Sequence, residues 1–416
     1  MSAENITPRP VETARRGGPA IRASFVAFAT MGVVTATWAA RIPQVKSQLG
    51  LTSSALGLVL LAMAAGSVVA LPAAGWVVVR LGSRRAFRAV SLLSAAGLIV
   101  VAFGARGQTA AVVAGLFAMG VANGVWDVAI NVQGARVEQQ VERPLMPRFH
   151  AWYGIGTVIG AAAGVAMVAV RASVTLDLLI VAGVVPSAVW FATRSFLPDH
   201  DHLEPHEQGA ARAHNGWRER RTVLIGLIVL AFALTEGSGN DWISVSMIQG
   251  RHAAPAVATL AYGVFLALLT AGRWIGPQLL ERFGRARALR VLALVAIAGL
   301  VVFVLAPWTP LAFLGAALWG VGASLGFPVG MSAGADEPAL AAPRVGVIAS
   351  IGYCAFLGGP PLIGLIASSF GLPHALAVVV VPLVPAAGIA TVAAPLRSAC
   401  DDAAASAAPA LSTPAP

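Results

Sequence analysis

Three polar side chains share one face of an otherwise apolar segment around residue 127. Asn123, Asp127 and Asn131 follow one another at intervals of four residues, which places them on one side of an α-helix. The carboxylate can take up and release a proton, and the two amides can hydrogen-bond a polar solute. Because a charge at membrane depth costs at least about 2.5–3.5 kcal/mol on insertion scales, the stripe is expected to face a partner or a wet cavity.

A second polar cluster, at residues 235–242, carries two more acids. Glu236 is expected near the middle of its apolar segment and is a second candidate for proton coupling. Asn240, Asp241 and Trp242 are candidates for binding a substrate. Two glycines and a serine weaken a helix, so a locally unwound backbone that lines a cavity is expected here. The alternative is that both acids have only a structural role. Asp241 would then merely mark the end of the segment.

The first apolar segment contributes an aromatic and a basic candidate. Trp38 aligns with Trp242 at an offset of 204 residues. Such paired indoles could stack on a sugar ring or another planar solute, or they could anchor the protein at the membrane interface. Arg41 comes just before a break expected at Pro43, and it could pair with a substrate carboxylate or with Asp241.

Arg273 lies deep in the eighth apolar segment and is expected to need an acidic partner, either Asp127 or Glu236. A packing role for Asp127, in which Arg273 or neighbouring amides neutralise it, is therefore an alternative to proton coupling. An offset of 200 residues places Phe327 opposite Asp127. Since only one half of the chain keeps an acid at this position, the repeat favours a functional role for Asp127.

Long apolar segments must position these residues. The chain has 416 residues, of which 57% are hydrophobic and 11% charged, a balance typical of membrane proteins. Segments long enough to cross about 30 Å of hydrocarbon recur twelve times, which predicts an all-α membrane protein. The predicted spans are 22–41, 54–79, 86–105, 109–134, 149–170, 174–195, 222–247, 256–280, 287–306, 309–333, 344–368 and 372–395.

The chain also repeats itself. Residues 115–121 resemble 315–321, and residues 55–66 resemble 261–272. Two related halves in an apolar chain are typical of transporters whose solute site lies between the repeats. The predicted organisation is a disordered cytoplasmic N-terminus (1–21), a six-helix half (22–195), a linker (196–221), a second six-helix half (222–396) and a disordered tail (397–416).

The net charge of +10 is an indicator of topology. Most arginines fall in loops on the side of the chain ends, so both termini are expected in the cytoplasm of a bacterium and the spans in its inner membrane. These short loops lack interleaved aromatic residues, which argues against nucleic-acid binding. The linker cluster of histidines and acids at 200–206 is expected to be a solvated segment, with metal binding as the alternative. Neither a phosphate-binding loop nor a catalytic set of residues is found, so no cofactor and no enzymatic activity are expected.

Twelve spans in two halves with arginine-rich loops resemble the major facilitator superfamily over nearly the whole chain. Residues 75–85 resemble its loop signature, with Val79 in place of the acid, and Glu281 keeps the acid in the second half. The resemblance implies that this loop helps to lock a cytoplasmic gate, with Glu281 pairing with Arg136 or Arg143. The charges assigned to the gate or to charge pairs are Arg80, Arg84, Arg136, Arg273, Glu281 and Arg282.

Within that superfamily, the stretches 38–43, 127–131, 149–150 and 358–364 are similar to the MosC/YbjJ-like branch, itself similar to fucose:proton symporters. The resemblance implies a monomer, a sugar-like solute and a membrane acid that takes up a proton. Asp127 falls on the fourth helix, where those symporters use an acid, but their acid on the first helix has no counterpart. We therefore expect a secondary transporter working by alternating access. The alternatives are a proton-coupled exporter of a drug or amphipathic metabolite, and a non-transporting sensor or scaffold.

Overall fold

The computed structural model describes residues 10–141, 145–197, 216–337 and 340–395, and no strand occurs among them. Their apolar composition and scarcity of charge favour helices, which satisfy every backbone polar group internally. The α-helices are α1 (Pro10–Gln48), α2 (Ser53–Leu81), α3 (Ser83–Gly104), α4 (Thr109–Val141), α5 (Met146–Ala169), α6 (Val174–Ala192), α7 (Arg220–Arg251), α8 (Pro255–Leu305), α9 (Thr309–Ala323), α10 (Gly326–Gly334), α11 (Ala341–Phe370), α12 (Leu372–Ala375) and α13 (Val380–Ile389).

Eleven helical segments of the described chain are long and apolar enough to cross a membrane, where the sequence predicts twelve. The difference lies in α8, whose 51 residues exceed the length that a single crossing needs. Gly284 inside α8 has φ 73° and ψ 160°, a conformation that essentially only glycine adopts. Gly82, between α2 and α3, has nearly the same angles, φ 77° and ψ 152°. The predicted eighth and ninth spans therefore lie within α8, joined at Gly284.

The helices form two groups that follow the internal repeat. In the first group α1 packs on α5, and α4 packs on α2 and α3; in the second, α7 packs on α11, and α8 on α9. The groups meet along α2 and α11, α5 and α8, and α1 and α7. We call the end of the bundle where α1 begins the near end, and the end where α1 finishes and α2 begins the far end.

Two expectations about helix breaks are wrong. α1 continues through Pro43 to Gln48, and buried contacts of its last turns, such as those of Val45, hold it in place. α7 is helical throughout residues 235–242. A side chain at Gly239 would collide with the ring of Phe265, and one at Gly237 would press on Phe356. These glycines therefore do not unwind the helix. They allow the side chains of neighbouring helices to approach it closely.

A break that the sequence does not predict separates α9 from α10 at Ser324 and Leu325. Pro328 follows in the first turn of α10, and it has no N–H to offer the carbonyl oxygen of Ser324 four residues earlier. The predicted tenth span is therefore two short helices in succession. α1 begins at Pro10, before the predicted first span, whereas the predicted C-terminal tail and the linker histidines lie outside the described residues.

Candidate functional site

Asp127 is half-buried on α4 and makes no ion pair with a described residue. Asn131 donates from Nδ2 to Asp127 Oδ1 at 3.2 Å and to the Asp127 backbone oxygen at 2.7 Å. The amide orients the carboxyl group but brings no charge to it. The structural alternative named Arg273 or neighbouring amides as the partners of Asp127. Arg273 does not contact Asp127 in this structure, because it is engaged by Glu236, whereas one neighbouring amide, that of Asn131, does.

Arg273 joins three elements of the second group. Its Nη2 donates to Glu236 Oε2 on α7 at 2.6 Å, and its Nε donates to the backbone oxygen of Ser324 at 3.2 Å. The second bond replaces the one that Pro328 cannot make, so the guanidinium compensates the helix break. Of the two acids expected to pair with Arg273, the structure therefore selects Glu236, and Glu236 is not an unpaired acid.

Arg41 forms an ion pair that the sequence analysis missed. Its Nε donates to Asp177 Oδ2 on α6 at 2.6 Å, and the two side chains are 1% and 4% exposed. Nη1 also donates to the backbone oxygen of Ala172 at 3.3 Å. The expected pairing of Arg41 with Asp241 is therefore wrong. Asp177 stands in the first turn of α6, where an acid is readily taken for a helix-terminal residue, so the sequence gives little sign of this contact.

Asp241 is half-buried on α7 and makes no hydrogen bond or ion pair with a described residue. Asn240 beside it is also half-buried. The two indoles proposed to stack on a solute are buried, with Trp38 3% exposed and Trp242 fully covered. Neither indole can contact a solute in the conformation observed.

The chain contains three tyrosines, and the structure brings all of them to the polar site. Tyr153 on α5 lies beside Thr35 and close enough to Asp127, Glu236 and Arg273 for their charges to act on its hydroxyl. Tyr153 therefore stands between the acid of the first group and the ion pair of the second. Sequence reasoning missed it, although a tyrosine in so apolar a chain is itself a signal.

The other two tyrosines come from the second group. Tyr262 on α8 lies in the electrostatic range of Asp241 and Glu236, and Tyr353 on α11 in that of Asp127. Both also interact with Tyr153. The site thus combines three acids, one arginine and three phenols contributed by both groups of helices, an arrangement that can bind a polar solute and carry a proton.

Two of the three gate residues of the first group, Arg80 and Arg84, make contacts within that group. Arg80 is exposed and lies over the ring of Trp76, with its Cζ 5.0 Å from the ring centroid. Arg84 donates from Nη2 to the backbone oxygen of Phe196 at 2.9 Å, which fastens α3 to the end of α6. Arg136 is half-buried near the end of α4.

The expected pair of Glu281 with Arg136 is not formed. Glu281 is exposed and makes no ion pair with a described residue, and Arg143 lies outside the described residues. Arg282 lies over the ring of Phe283 at 5.3 Å. Among the described residues, the charged side chains that were expected to join the two groups at the near end therefore do not pair with one another.

At the far end the two groups touch directly. Gly57 on α2 lies so close to the backbone oxygen of Pro360 on α11 that a Cβ there would overlap it. One turn closer to the end, Gly364 packs against the backbone of Ser53, whose hydroxyl also donates to Gln249 Oε1 at 3.3 Å. A solute could not pass between α2 and α11 at this end without separation of the groups.

Two repeated groups of membrane-length helices around a polar site are typical of membrane transport proteins. The profile of the Major Facilitator Superfamily matches residues 23–343. The chain belongs to that family.

Two relatives extend over most of the chain. An uncharacterized MFS-type transporter of Yersinia pestis is 30% identical over 374 residues, which is 88% of this chain and 93% of the relative. The membrane protein MosC of Rhizobium meliloti is 27% identical over 352 residues, 84% of each chain. The resemblance to the branch that contains MosC is thereby confirmed.

Solved structures of transporters share the fold at low sequence identity. A variant of the nucleoside transporter NupG superimposes with a TM-score of 0.74 at 14% identity, over 91% of this chain and 99% of that one. For the D-xylose-proton symporter the TM-score is 0.72 at 13% identity, over 89% and 96%. For FucP in the outward conformation it is 0.63 at 16% identity, over 91% and 100%.

Proposed function

We propose that this protein is a proton-coupled secondary transporter that moves a small, uncharged, sugar-like solute across the bacterial inner membrane by alternating access. The observation that carries the proposal is the environment of the Asp127 side chain. It lies within a membrane-spanning helix, is oriented by the amide of Asn131 and has no basic partner among the described residues. Asp177 and Glu236 each have an arginine. Asp241 also lacks a described basic partner, but it lies nearer the far end of α7 and no described amide is bonded to it.

An unpaired carboxyl group links the movement of a proton to the movement of the helices. An ionised carboxylate sealed from water without a counter-charge costs several kcal/mol, whereas the protonated acid is neutral. During alternating access the two groups of helices must pass through a conformation in which the site is closed to water on both sides. They can reach that conformation at low free-energy cost only when Asp127 carries a proton. Water reaches Asp127 again when the site opens, and the proton can leave on the side to which it opens.

The groups around Asp127 suit an uncharged solute with several hydroxyls. Asn123 and Asn131 offer amides, and Tyr153 offers a hydroxyl that can donate and accept. Arg273 and Glu236 neutralise each other at 2.6 Å, so they leave no net charge for an ionic solute to balance. Among the fold-level neighbours, one is named a nucleoside transporter, one a D-xylose-proton symporter and one a fucose:proton symporter, which supports a sugar-like solute.

We infer the direction of opening from the contacts at the far end and from the positions of the arginines. The far end is closed by α2 against α11, and Glu281 at the near end has no described charge partner. Because the near-end loops carry most of the arginines, we assign the near end to the cytoplasm. The conformation is then the inward-facing one, with both chain termini on the cytoplasmic side.

The proposal is tested by transport currents from purified protein in proteoliposomes on a solid-supported membrane. Concentration jumps of D-xylose, L-fucose and uridine form the uncharged set, gluconate and tetraphenylphosphonium form the charged set, and protein-free liposomes are the control. We expect a current for at least one member of the uncharged set and none for the charged set. Silence of the uncharged set, with a response to tetraphenylphosphonium under an imposed pH gradient, would support the exporter instead.

A further inference from the structure

Three arginines lie together at the near end of the first group, where α3 begins and α6 ends. Arg84 and Arg88 belong to the first two turns of α3, and Arg194 follows α6 directly. α3 and α6 pack on each other, and the charges of Arg84 and Arg194 are close enough to act on the guanidinium of Arg88. None of the three forms an ion pair with a described acid. We call these three residues the arginine cluster.

Neutral groups hold the arginine cluster in place. Arg88 donates from Nε to Thr193 Oγ1 at 2.8 Å, and its Cζ lies 4.0 Å from the centroid of the Trp190 ring. The Cζ of Arg194 lies 4.8 Å from the centroid of the Phe191 ring. These contacts fix the guanidinium groups without neutralising them. Because like charges at short range repel one another, an anion that contacts all three would be stabilised there.

The arginine cluster also has N–H groups to spare. The Nη1 atoms of Arg84 and Arg88 donate to no described residue and are not buried. Arg194 is exposed, and its side chain makes no hydrogen bond with a described residue. Guanidinium groups bind phosphate oxygens through such N–H donors, in charge-assisted hydrogen bonds. The arginine cluster therefore offers accessible donors to a phosphate group.

Exposed apolar side chains lie next to the arginine cluster on the same two helices. Trp190 and Phe191 near the end of α6 are 48% and 63% exposed, and Leu92, one turn beyond Arg88 on α3, is 57% exposed. Both helices are long and apolar enough to cross a membrane, and tryptophan is typical of the membrane interface. A ligand that has acyl chains as well as a phosphate can contact both kinds of surface. A free phosphate ion can use only the arginines.

The second group differs at the corresponding place. Arg290 corresponds to Arg88 at an offset of 202 residues, and it donates from Nε to the backbone oxygen of Ala387 at 3.2 Å. No described aromatic ring lies under its guanidinium. Arg285, in the preceding turns of the same helix, is neutralised by Asp336 at 2.5 Å. The fold common to the two groups therefore does not by itself require an unneutralised arginine cluster.

We propose that the arginine cluster binds the headgroup of an anionic phospholipid, with its acyl chains lying along Trp190, Phe191 and Leu92. The phosphate accepts hydrogen bonds from the guanidinium groups of α3 and of the end of α6. A zwitterionic headgroup would bring its own cation next to three arginines, so an anionic headgroup is preferred. This lipid site is separate from the solute site between the two groups, and it does not depend on which solute is transported.

Native mass spectrometry of the delipidated full-length protein in detergent tests the proposal. Dioleoylphosphatidylglycerol and dioleoylphosphatidylcholine have the same acyl chains, and the first should bind at least about 10-fold more tightly. Arg88→Gln should weaken binding of phosphatidylglycerol about five-fold. Arg290→Gln is the matched control, because it also removes a guanidinium whose Nε joins two helices. It should change the affinity by less than about two-fold.

Equal affinities for the two lipids, or equal effects of the two variants, would overturn the lipid site. Displacement of phosphatidylglycerol by sn-glycero-3-phosphoglycerol at the same concentration would also overturn it, because a soluble phosphate would then suffice. If Arg88→Gln does not fold, Arg194→Gln replaces it, since the exposed Arg194 side chain makes no described hydrogen bond. That variant should also weaken binding about five-fold, and an unchanged affinity would contradict the proposal.

Discussion

Arg273 holds the backbone oxygen of Ser324 at 3.2 Å, and through this bond a single side chain compensates a broken helix. The same guanidinium binds Glu236 on α7. The break between α9 and α10 is therefore tied to the ion pair at the centre of the second group. A change in the protonation or position of Glu236 can therefore move Arg273 and, through it, alter the backbone at the break.

This relationship predicts a coupling between Arg273 and Pro328. Arg273→Lys keeps a charge for Glu236 but loses the planar fork that serves two acceptors, and it should destabilise the protein by about 1–3 kcal/mol. Pro328→Ala restores an N–H that can bond to Ser324 within a continuous helix. The loss in free energy of unfolding caused by Arg273→Lys should therefore be at least about 0.5 kcal/mol smaller in the Pro328→Ala background than in the wild-type background. Unfolding in detergent measures the cycle, and strict additivity of the two substitutions would refute the link.

The buried pair of Arg41 and Asp177 predicts a stability effect of a different kind. Removing one partner by Arg41→Met leaves a buried carboxylate without its counter-charge and should cost about 3–5 kcal/mol. The double variant Arg41→Met/Asp177→Leu should recover most of that loss, because neither charge remains. Thermal unfolding in detergent is the measurement. The control is Arg282→Met at an exposed position, which should change stability by less than about 0.5 kcal/mol.

A double variant as unstable as Arg41→Met alone would show that packing, and not charge, holds α1 to α6. Transport by the double variant is then informative as well. Because the pair is fully inside the first group, we expect the double variant to retain transport if it folds.

The far-end contact predicts a shift between conformations. Gly57→Val places two methyl groups where the backbone oxygen of Pro360 lies, so it should disfavour the closed far end. Gly75→Val on the same helix meets no atom within 4 Å and is the matched control. Spin labels at positions 48 and 369, both exposed, in a cysteine-free background report the separation. The population with a wide far end should rise for Gly57→Val only.

An unchanged distance distribution in Gly57→Val, with the protein folded, would mean that the contact between α2 and α11 does not hold the far end closed. The same distribution for both valine variants would lead to the same conclusion.

Much of the fold could be predicted because its signals are local. Span length follows from apolar runs, and the shared backbone angles of Gly82 and Gly284 correspond to the repeat that the sequence displays. The helix breaks could not be predicted in this way. Glycines in α7 provide room for Phe265 and Phe356, and only the packed structure distinguishes such a glycine from a hinge.

The candidate site was predicted in part. Asp127, Glu236 and Arg273 were identified because a charge in an apolar segment is conspicuous in a sequence. The partner of Arg41 was missed because pairing over 136 residues depends on how α1 and α6 pack. The tyrosines were missed because a phenol is compatible with an apolar segment, and only the structure shows that all three converge on the acids.

The most direct test of the central claim compares Asp127→Asn with Asp241→Asn, since both acids lack a described basic partner. The substitutions remove one ionisable group each and preserve shape and hydrogen bonding. With the solute identified by transport currents, accumulation driven by a pH gradient and solute counterflow at equal pH are measured in proteoliposomes. Asp127→Asn should abolish accumulation and retain counterflow, and Asp241→Asn should retain both. Undiminished accumulation by folded Asp127→Asn would contradict the account.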